Sequence, residues 1–363
     1  MGSLASFFSS SYFKARKLFR DLAIQNNAVV QHYEIGHLFQ QQQLTIDVAR
    51  FGSPTANKCL VVSSGTHGVE GFLGSAIQSA SMNKGGAATD DLSIVYIHAV
   101  NPFGFANIRR VNELNVDLNR NFMSEEQPYK GADPGYSLMD PLLNPTSPPP
   151  AVEFFWPRAA LKIARHGFNA LKNSVAQGQY EYPKGLFFGG KKPSASMNII
   201  AENLGDWIGD AQRIIHLDLH SGLGKWGSYV LGSTKEIPAE KINALSKYFG
   251  TEALQTLDPK GVLYEIRGEF GVFCHKLFPQ REYIPFLAEF GTYFILKVLY
   301  ALRYENRVWH WSPDDLLLRE KAAEMLKEAF VPESPQWRKM VVDKGQRLIA
   351  QAIQALQSES TTQ

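Results

Sequence analysis

The chain has few cysteines, no surplus of one charge and no long apolar run, and each shortage excludes something. Cys59 and Cys274 are the only cysteines among 363 residues, one in an apolar segment and one among aromatics. Buried free thiols are therefore expected rather than a disulfide, which suits a reducing, cytoplasmic compartment. Thirty-seven Lys and Arg against 35 Asp and Glu leave a net charge of +2, with no block of like charge. That gives no electrostatic footprint for nucleic acid. No run reaches the ~20 apolar residues of a membrane span, and the N-terminus lacks the basic, apolar and small-residue order of a secretory signal. A membrane is thus not expected as a partner either. Met1-Gly2 with Ser6 matches the loose myristoylation pattern, but that pattern is short and Met-Gly-Ser is also a common cloning remnant.

Motifs of several enzyme classes are missing too. There is no Gly-x-Ser-x-Gly elbow, Walker loop, Cys-x-x-Cys or His-Glu-x-x-His helix. Gly222, Gly224 and Gly227 formally spell the dinucleotide fingerprint, yet the following SYVLG, from Ser228 to Gly232, reads as a strand where that site needs a helix.

What is present is a large apolar core, 44% of the residues, in an alternation of strand and helix patterns. Helical spacing runs through Ser9 to Asn27, and strands are expected at Val29–His37 and Leu44–Ala49 as a hairpin or edge pair leading into the central strand Lys58–Ser64. Phe72–Met82 as helix and Leu92–Val100 as strand complete a βαβ unit. Proline and glycine between Ser124 and Pro150 predict a long irregular excursion. Phe155–Val175 reads as helix, Tyr180–Ser196 as loop and Met197–Gly209 as helix. Strands are expected at Arg213–Leu219, Gly261–Arg267 and Tyr283–Phe290, with a helix over Pro238–Phe249. Helices over Tyr293–Arg303, Asp314–Ala329 and Trp337–Leu356 close the chain. With no repeat and no tether, the expectation is one α/β domain over 1–363, with an insertion at 123–210 and a helical extension at 305–363.

Four stretches carry chemistry. VVSSGTHGVEG, from Val61 to Gly71, places His67 and Glu70 three residues apart after a strand that Gly65-Thr66 ends. Ligands of open α/β sheets sit at that carboxyl end, and a His and a Glu so spaced suit Zn²⁺ if a distant third ligand joins them. In IIHLDLHSGLG, period two puts His216, Asp218 and His220 on one face of a core strand, where polar groups need partners. RRVNELNVDLNRNF, from Arg109 to Phe122, has the density of Arg, Asn and Asp of a fixed hydrogen-bonding loop, the alternative being a solvated one. Glu289 in LAEFGT is the acid of an apolar strand end, where burial raises its pKa unless a cation compensates; a salt-bridged Glu is the bland alternative.

The order and spacing of these motifs resemble the zinc carboxypeptidase superfamily, including its aspartoacylase and succinylglutamate desuccinylase branches. The resemblance covers His67 to Glu289 and implies a single α/β domain whose mixed, largely parallel central sheet carries helices on both faces. It implies one zinc ion on His67, Glu70 and His220, with Asp117 orienting His67. Arg110, with Arg109 as the alternative, stands where the family polarises the scissile carbonyl. Asn119 and Arg120 stand where it grips the substrate carboxylate, and Glu289 where it activates water. The peptidase branch also has a tyrosine upstream of the glutamate, for which Tyr264 is the candidate. The implied activity is a zinc-dependent hydrolase of small peptides or N-acyl amino acids with a free carboxylate; a non-catalytic binding protein on the same fold is the alternative.

Overall fold

The computed structural model describes residues 4–85, 87–124, 127–233, 237–255 and 266–358. Eight strands form one sheet: β1 (Val29–Phe39), β2 (Gln42–Phe51), β3 (Lys58–Ser64), β4 (Leu92–His98), β5 (Arg213–Ser221), β6 (Tyr229–Gly232), β7 (Leu254–Gln255) and β8 (Glu282–Phe290). Their spatial order is β1-β2-β4-β3-β5-β8-β6-β7, with β4, β3, β5 and β8 mutually parallel. The helices are α1 (Tyr12–Gln25), α2 (Gly71–Met82), α3 (Pro102–Ala106), α4 (Pro134–Leu143), α5 (Phe155–His166), α6 (Phe168–Ala176), α7 (Ala195–Ile208), α8 (Ala239–Phe249), α9 (Phe270–Leu277), α10 (Ile295–Trp311), α11 (Leu316–Phe330) and α12 (Pro335–Ser358). None among the described residues is long and apolar enough to cross a membrane. Both cysteines are free and buried.

The sheet is covered on both faces, and strand parity decides what each face meets. Tyr33 of β1 lies opposite Ile46 of β2, and the Tyr33 hydroxyl accepts from the Trp207 indole of α7 at 2.9 Å. The adjacent Thr45 and Asp47 point the other way, towards α1: Asp47 accepts from Arg16 and Arg20, and the Thr45 amide donates to the Tyr12 hydroxyl. That face also carries α2 and α12. α1 docks through Tyr12, Ala15, Phe19, Leu22 and Ala23, a single helical stripe, after the Ser11 hydroxyl has capped its first turn. β3 is buried along its whole length because parallel neighbours flank it and helices cover both faces.

The expected hairpin β1-β2 forms and joins the sheet through β4, so β3 keeps a parallel partner on each side. Two other expectations change. The supposedly irregular stretch before Pro150 contains α4, because Pro134 occupies a first-turn position where its missing N–H is harmless and Asp133 caps the helix. The single helix expected from Phe155 to Val175 is two, broken at Gly167, whose φ of +81° a helix cannot contain. The start of the proposed extension at 305 falls inside α10, and the expected strand at Gly261–Arg267 lies largely outside the described residues.

This strand order sets the position of a site. The chain leaves β3 to form β4 on one side and later returns to lay β5 on the other, so the crevice beyond the carboxyl ends of β3 and β5 is a topological switch point.

Candidate metal centre

The turn after β3 is held by close backbone contact. A Cβ on Gly68 would lie 2.1 Å from the carbonyl carbon of Gly104, so only glycine lets the two segments cross there. The amides of Gly68 and Val69 donate to the carbonyls of Arg110 and Arg109 at 3.1 and 2.8 Å. These bonds tie the turn to the polar stretch 109–122, which is largely buried rather than solvated.

His67 and Glu70 then meet His220 from the end of β5, 153 residues away in sequence. His67 Nδ1 is 2.8 Å from Glu70 Oε1, His220 Nδ1 is 2.9 Å from Glu70 Oε2, and the two Nδ1 atoms are 3.2 Å apart. All three residues are almost fully buried. Behind each ring stands a carboxylate: Asp117 Oδ1 at 3.0 Å from His67 Nε2, and Asp218 Oδ2 at 2.6 Å from His220 Nε2. Carboxylates accept, so both Nε2 atoms carry protons, and the two Nδ1 atoms, each also within hydrogen-bond distance of Glu70, are the nitrogens that a cation would take. Two Nδ1 atoms and a carboxylate thus converge within 4.8 Å of one another. Two nitrogens ~2.0–2.1 Å from a common tetrahedral ion would be ~3.3 Å apart, so the spacing and the mixed N/O donor set both fit Zn²⁺.

Charge follows the same geometry. Burial works against ionised Glu70, but the charge of His67 and hydrogen bonds from both histidines outweigh it and hold its carboxyl far below the usual range. Burial likewise opposes ionised Asp117 and Asp218, and the cations beside them, Arg110 and His220 respectively, bring both down. Glu289 is the opposite case. Burial first and the negative charge of Glu70 second push its carboxyl up to about 7. It faces His220 across the β5-β8 register and accepts from the Leu223 amide at 2.8 Å. Its raised value agrees with the expectation, and among the described residues Glu289 makes no salt bridge.

The polar stretch divides its residues between site and scaffold. Arg110 donates through Nε to Asp117 at 2.9 Å and through Nη1 to Glu70 at 3.3 Å, with the Phe187 ring 5.5 Å from its guanidinium. Arg109 points away, donating to Glu305 at 2.6 Å and lying 4.0 Å over Trp309, so Arg110 is the one at the metal group. Arg120 and Asn119 border the same cavity. Arg120 is anchored there by main-chain carbonyls, of Ala176 through Nε and Nη2 and of Asn119 through Nη1, and the Asn119 amide oxygen accepts from Phe270 N–H. Tyr264 lies outside the described residues.

Two supports were not assigned from the motifs. Asp218 does for His220 what Asp117 does for His67, and it is held in turn by the hydroxyls of Ser63 and Thr66 at 2.6 and 2.9 Å. Alternation already placed Asp218 on the face of His220, which was the available signal. His216, on that face too, sits between Ser63 and the Tyr283 hydroxyl, and burial lowers its pKa to about 4, so it is a neutral link away from the donor group. Phe187, at φ +56°, comes from the loop expected over Tyr180–Ser196 and lines the cavity beside Arg110.

An α/β sheet with a His-Glu-His donor set at its switch point defines a class of metal-site protein. Within it, the chain belongs to the family described as "Protein of unknown function (DUF2817)", whose profile matches residues 8–344. A comparison with the curated proteins finds no match. Among solved structures, carboxypeptidase A from Helicoverpa armigera is 13% identical with a TM-score of 0.48, over 86% of this chain and 73% of that one. A metallo-carboxypeptidase from Burkholderia cenocepacia is 10% identical with a TM-score of 0.45, over 95% and 69%. Bovine thrombin-activatable fibrinolysis inhibitor, solved with a tick carboxypeptidase inhibitor, is 12% identical with a TM-score of 0.47, over 93% and 99%. Likeness of this degree carries no argument of its own, and the chemistry rests on the side chains.

Proposed function

We propose that the chain is a zinc-dependent amide hydrolase that cleaves a bond next to a free carboxylate in a small peptide or an N-acyl amino acid. The observation that carries this reading is the convergence of three buried ligand groups, His67 Nδ1, His220 Nδ1 and Glu70, with a carboxyl of raised pKa beside them. These three residues would hold one Zn²⁺, which supplies Lewis acidity and an acidified water when bound.

The chain's own groups do the rest. Glu289, poised near neutrality, takes the proton of the attacking water and returns it to the leaving nitrogen. Arg110, held by Asp117 and Glu70, offers positive charge to the carbonyl oxygen as it becomes an oxyanion. Arg120 and Asn119 in the cavity wall receive the substrate carboxylate, the former pre-positioned by its main-chain bonds. The Asp117 and Asp218 carboxylates fix the tautomers on which the donor set depends.

The test is metal analysis beside turnover of C-terminal peptides and N-acyl amino acids. About one zinc per chain is expected, removed by chelation together with activity and restored with it. Glu289→Gln should keep the zinc and lose about a thousandfold in kcat. A protein that takes up no zinc would defeat the reading, and full turnover by Glu289→Gln would remove Glu289 from the mechanism.

A further inference from the structure

The cavity that begins at the metal group continues into ground that none of the motifs covers. Its far walls come from α4, α5, α6 and α10, through Leu142, Phe155, Ala159, Leu171, Val175 and Leu299 among others. The apolar positions repeat at helical spacing, 155, 159 and 163 on α5 and 168, 171 and 175 on α6, so both helices turn their greasy faces to the cavity. Away from the metal group and its arginines, Lys172 is the one ionisable side chain among the described lining residues.

Such walls discriminate between substrates. Most of the lining main chain is helical, its polar groups bonded along the helix, and β8 is paired on both edges. A peptide entering there would lose water from an N–H and a C=O at each residue with little to replace it. An alkyl chain brings no such groups and gains from every methylene buried. The whole cavity, its metal end included, is about 130 Å³, a little less than the ~150 Å³ of an apolar cavity that takes a six-carbon ring.

Building on the hydrolase reading, we infer that the helices of the 134–176 segment form an acyl chamber and that the substrate is an N-acyl amino acid with a straight apolar acyl group of up to about six carbons. The acyl chain lies along α5 and α6, and the amino-acid carboxylate lies towards Arg120. Hydrolysis gives the matching fatty acid and a free amino acid, with water adding across the amide C–N bond.

The experiment uses the N-acylglycines from acetyl to octanoyl, because glycine has no side chain to compete for the chamber, alongside N-acetylphenylalanine. In zinc-loaded protein, kcat/KM should rise about tenfold for every two methylenes until the chamber fills. Calorimetry on chelated protein should show affinity for the same series tightening in step. Ala159→Trp, which places an indole in the space, should flatten both series at least tenfold at hexanoyl; should the variant not fold, the wild-type series decides. Rates and affinities independent of acyl length, with N-acetylphenylalanine the better substrate, would overturn the acyl chamber and leave the hydrolase reading standing. No hydrolysis of any of these or of C-terminal peptides by zinc-loaded protein would defeat the hydrolase reading itself.

Discussion

The sheet buries polar clusters on both faces, and they differ in how their charges are matched. On the α1 face, Asp47 is fully buried and accepts from Arg16 at 2.7 Å, Arg20 at 2.6 Å and Thr45 at 2.7 Å. Its opposite number across the β2-β4 register, His98, bonds the Ser75 hydroxyl at 3.0 Å and stacks on Phe19. The Asp47 carboxylate there is matched by donors of the chain itself, while His98 Nδ1 has no hydrogen-bond partner among the described residues. On the α9 side, at the carboxyl ends of β3 and β5, the carboxylates hold the outer nitrogens of His67 and His220 and leave the inner ones facing each other. A buried carboxylate neutralised by arginines of the chain is structural, whereas a group of ligand atoms converging on a point suits a cation.

Asp47→Asn is the strongest test of that contrast. Arg16 and Arg20 would lose a buried anion, so stability should fall by about 3 kcal/mol in denaturant titration, moderated because both arginines reach solvent. Zinc content should not change. A variant that lost zinc while keeping its stability would reverse the assignment of the two clusters.

The next effect is on pH. Burial lowers the pKa of His98 to about 4, against 6.5 unperturbed. Between those values the unfolded chain binds a proton that the fold refuses, so stability is full above about pH 6.5 and declines as pH falls towards about 4. The linked loss is about 3 kcal/mol at most. Comparing urea midpoints of wild type and His98→Gln from pH 7.5 to 4.5 isolates it from carboxylate titration; parallel curves would show that His98 is not the group responsible.

Asp218→Asn is the matched change on the metal side and should be the mildest. The His220 ring keeps its place but loses the anion that fixes its proton on Nε2, so zinc affinity should drop about 10–100-fold with little change in melting temperature. Competition with a chromogenic chelator measures it, and an unchanged affinity would separate Asp218 from the donor set.

How much of this was legible in the sequence varies with how local the signal is. The strand Lys58–Ser64 has the bounds read from its apolar run, and the first helix, Tyr12–Gln25, lies within the expected Ser9–Asn27 with Ser11 as its cap. The donor types at His67, Glu70 and His220 could be named, and period two placed Asp218 beside His220. By contrast α4 went unseen because proline density outweighed the benign first-turn position of Pro134. The break at Gly167 was hidden by apolar spacing that continues across it.

By itself, then, the sequence determined the elements, the faces of its strands and the donor types of the site, because hydrophobic period and turn chemistry act over a few residues. Only the tertiary structure decided that β1-β2 joins through β4, that Arg109 turns to Glu305 while Arg110 turns to Glu70, and that helices of the 134–176 segment enclose an apolar cavity beside the metal group. Each of these depends on which distant surfaces meet, as with His67 and His220, 153 residues apart. Packing of the whole chain settles such meetings, and no local pattern encodes them.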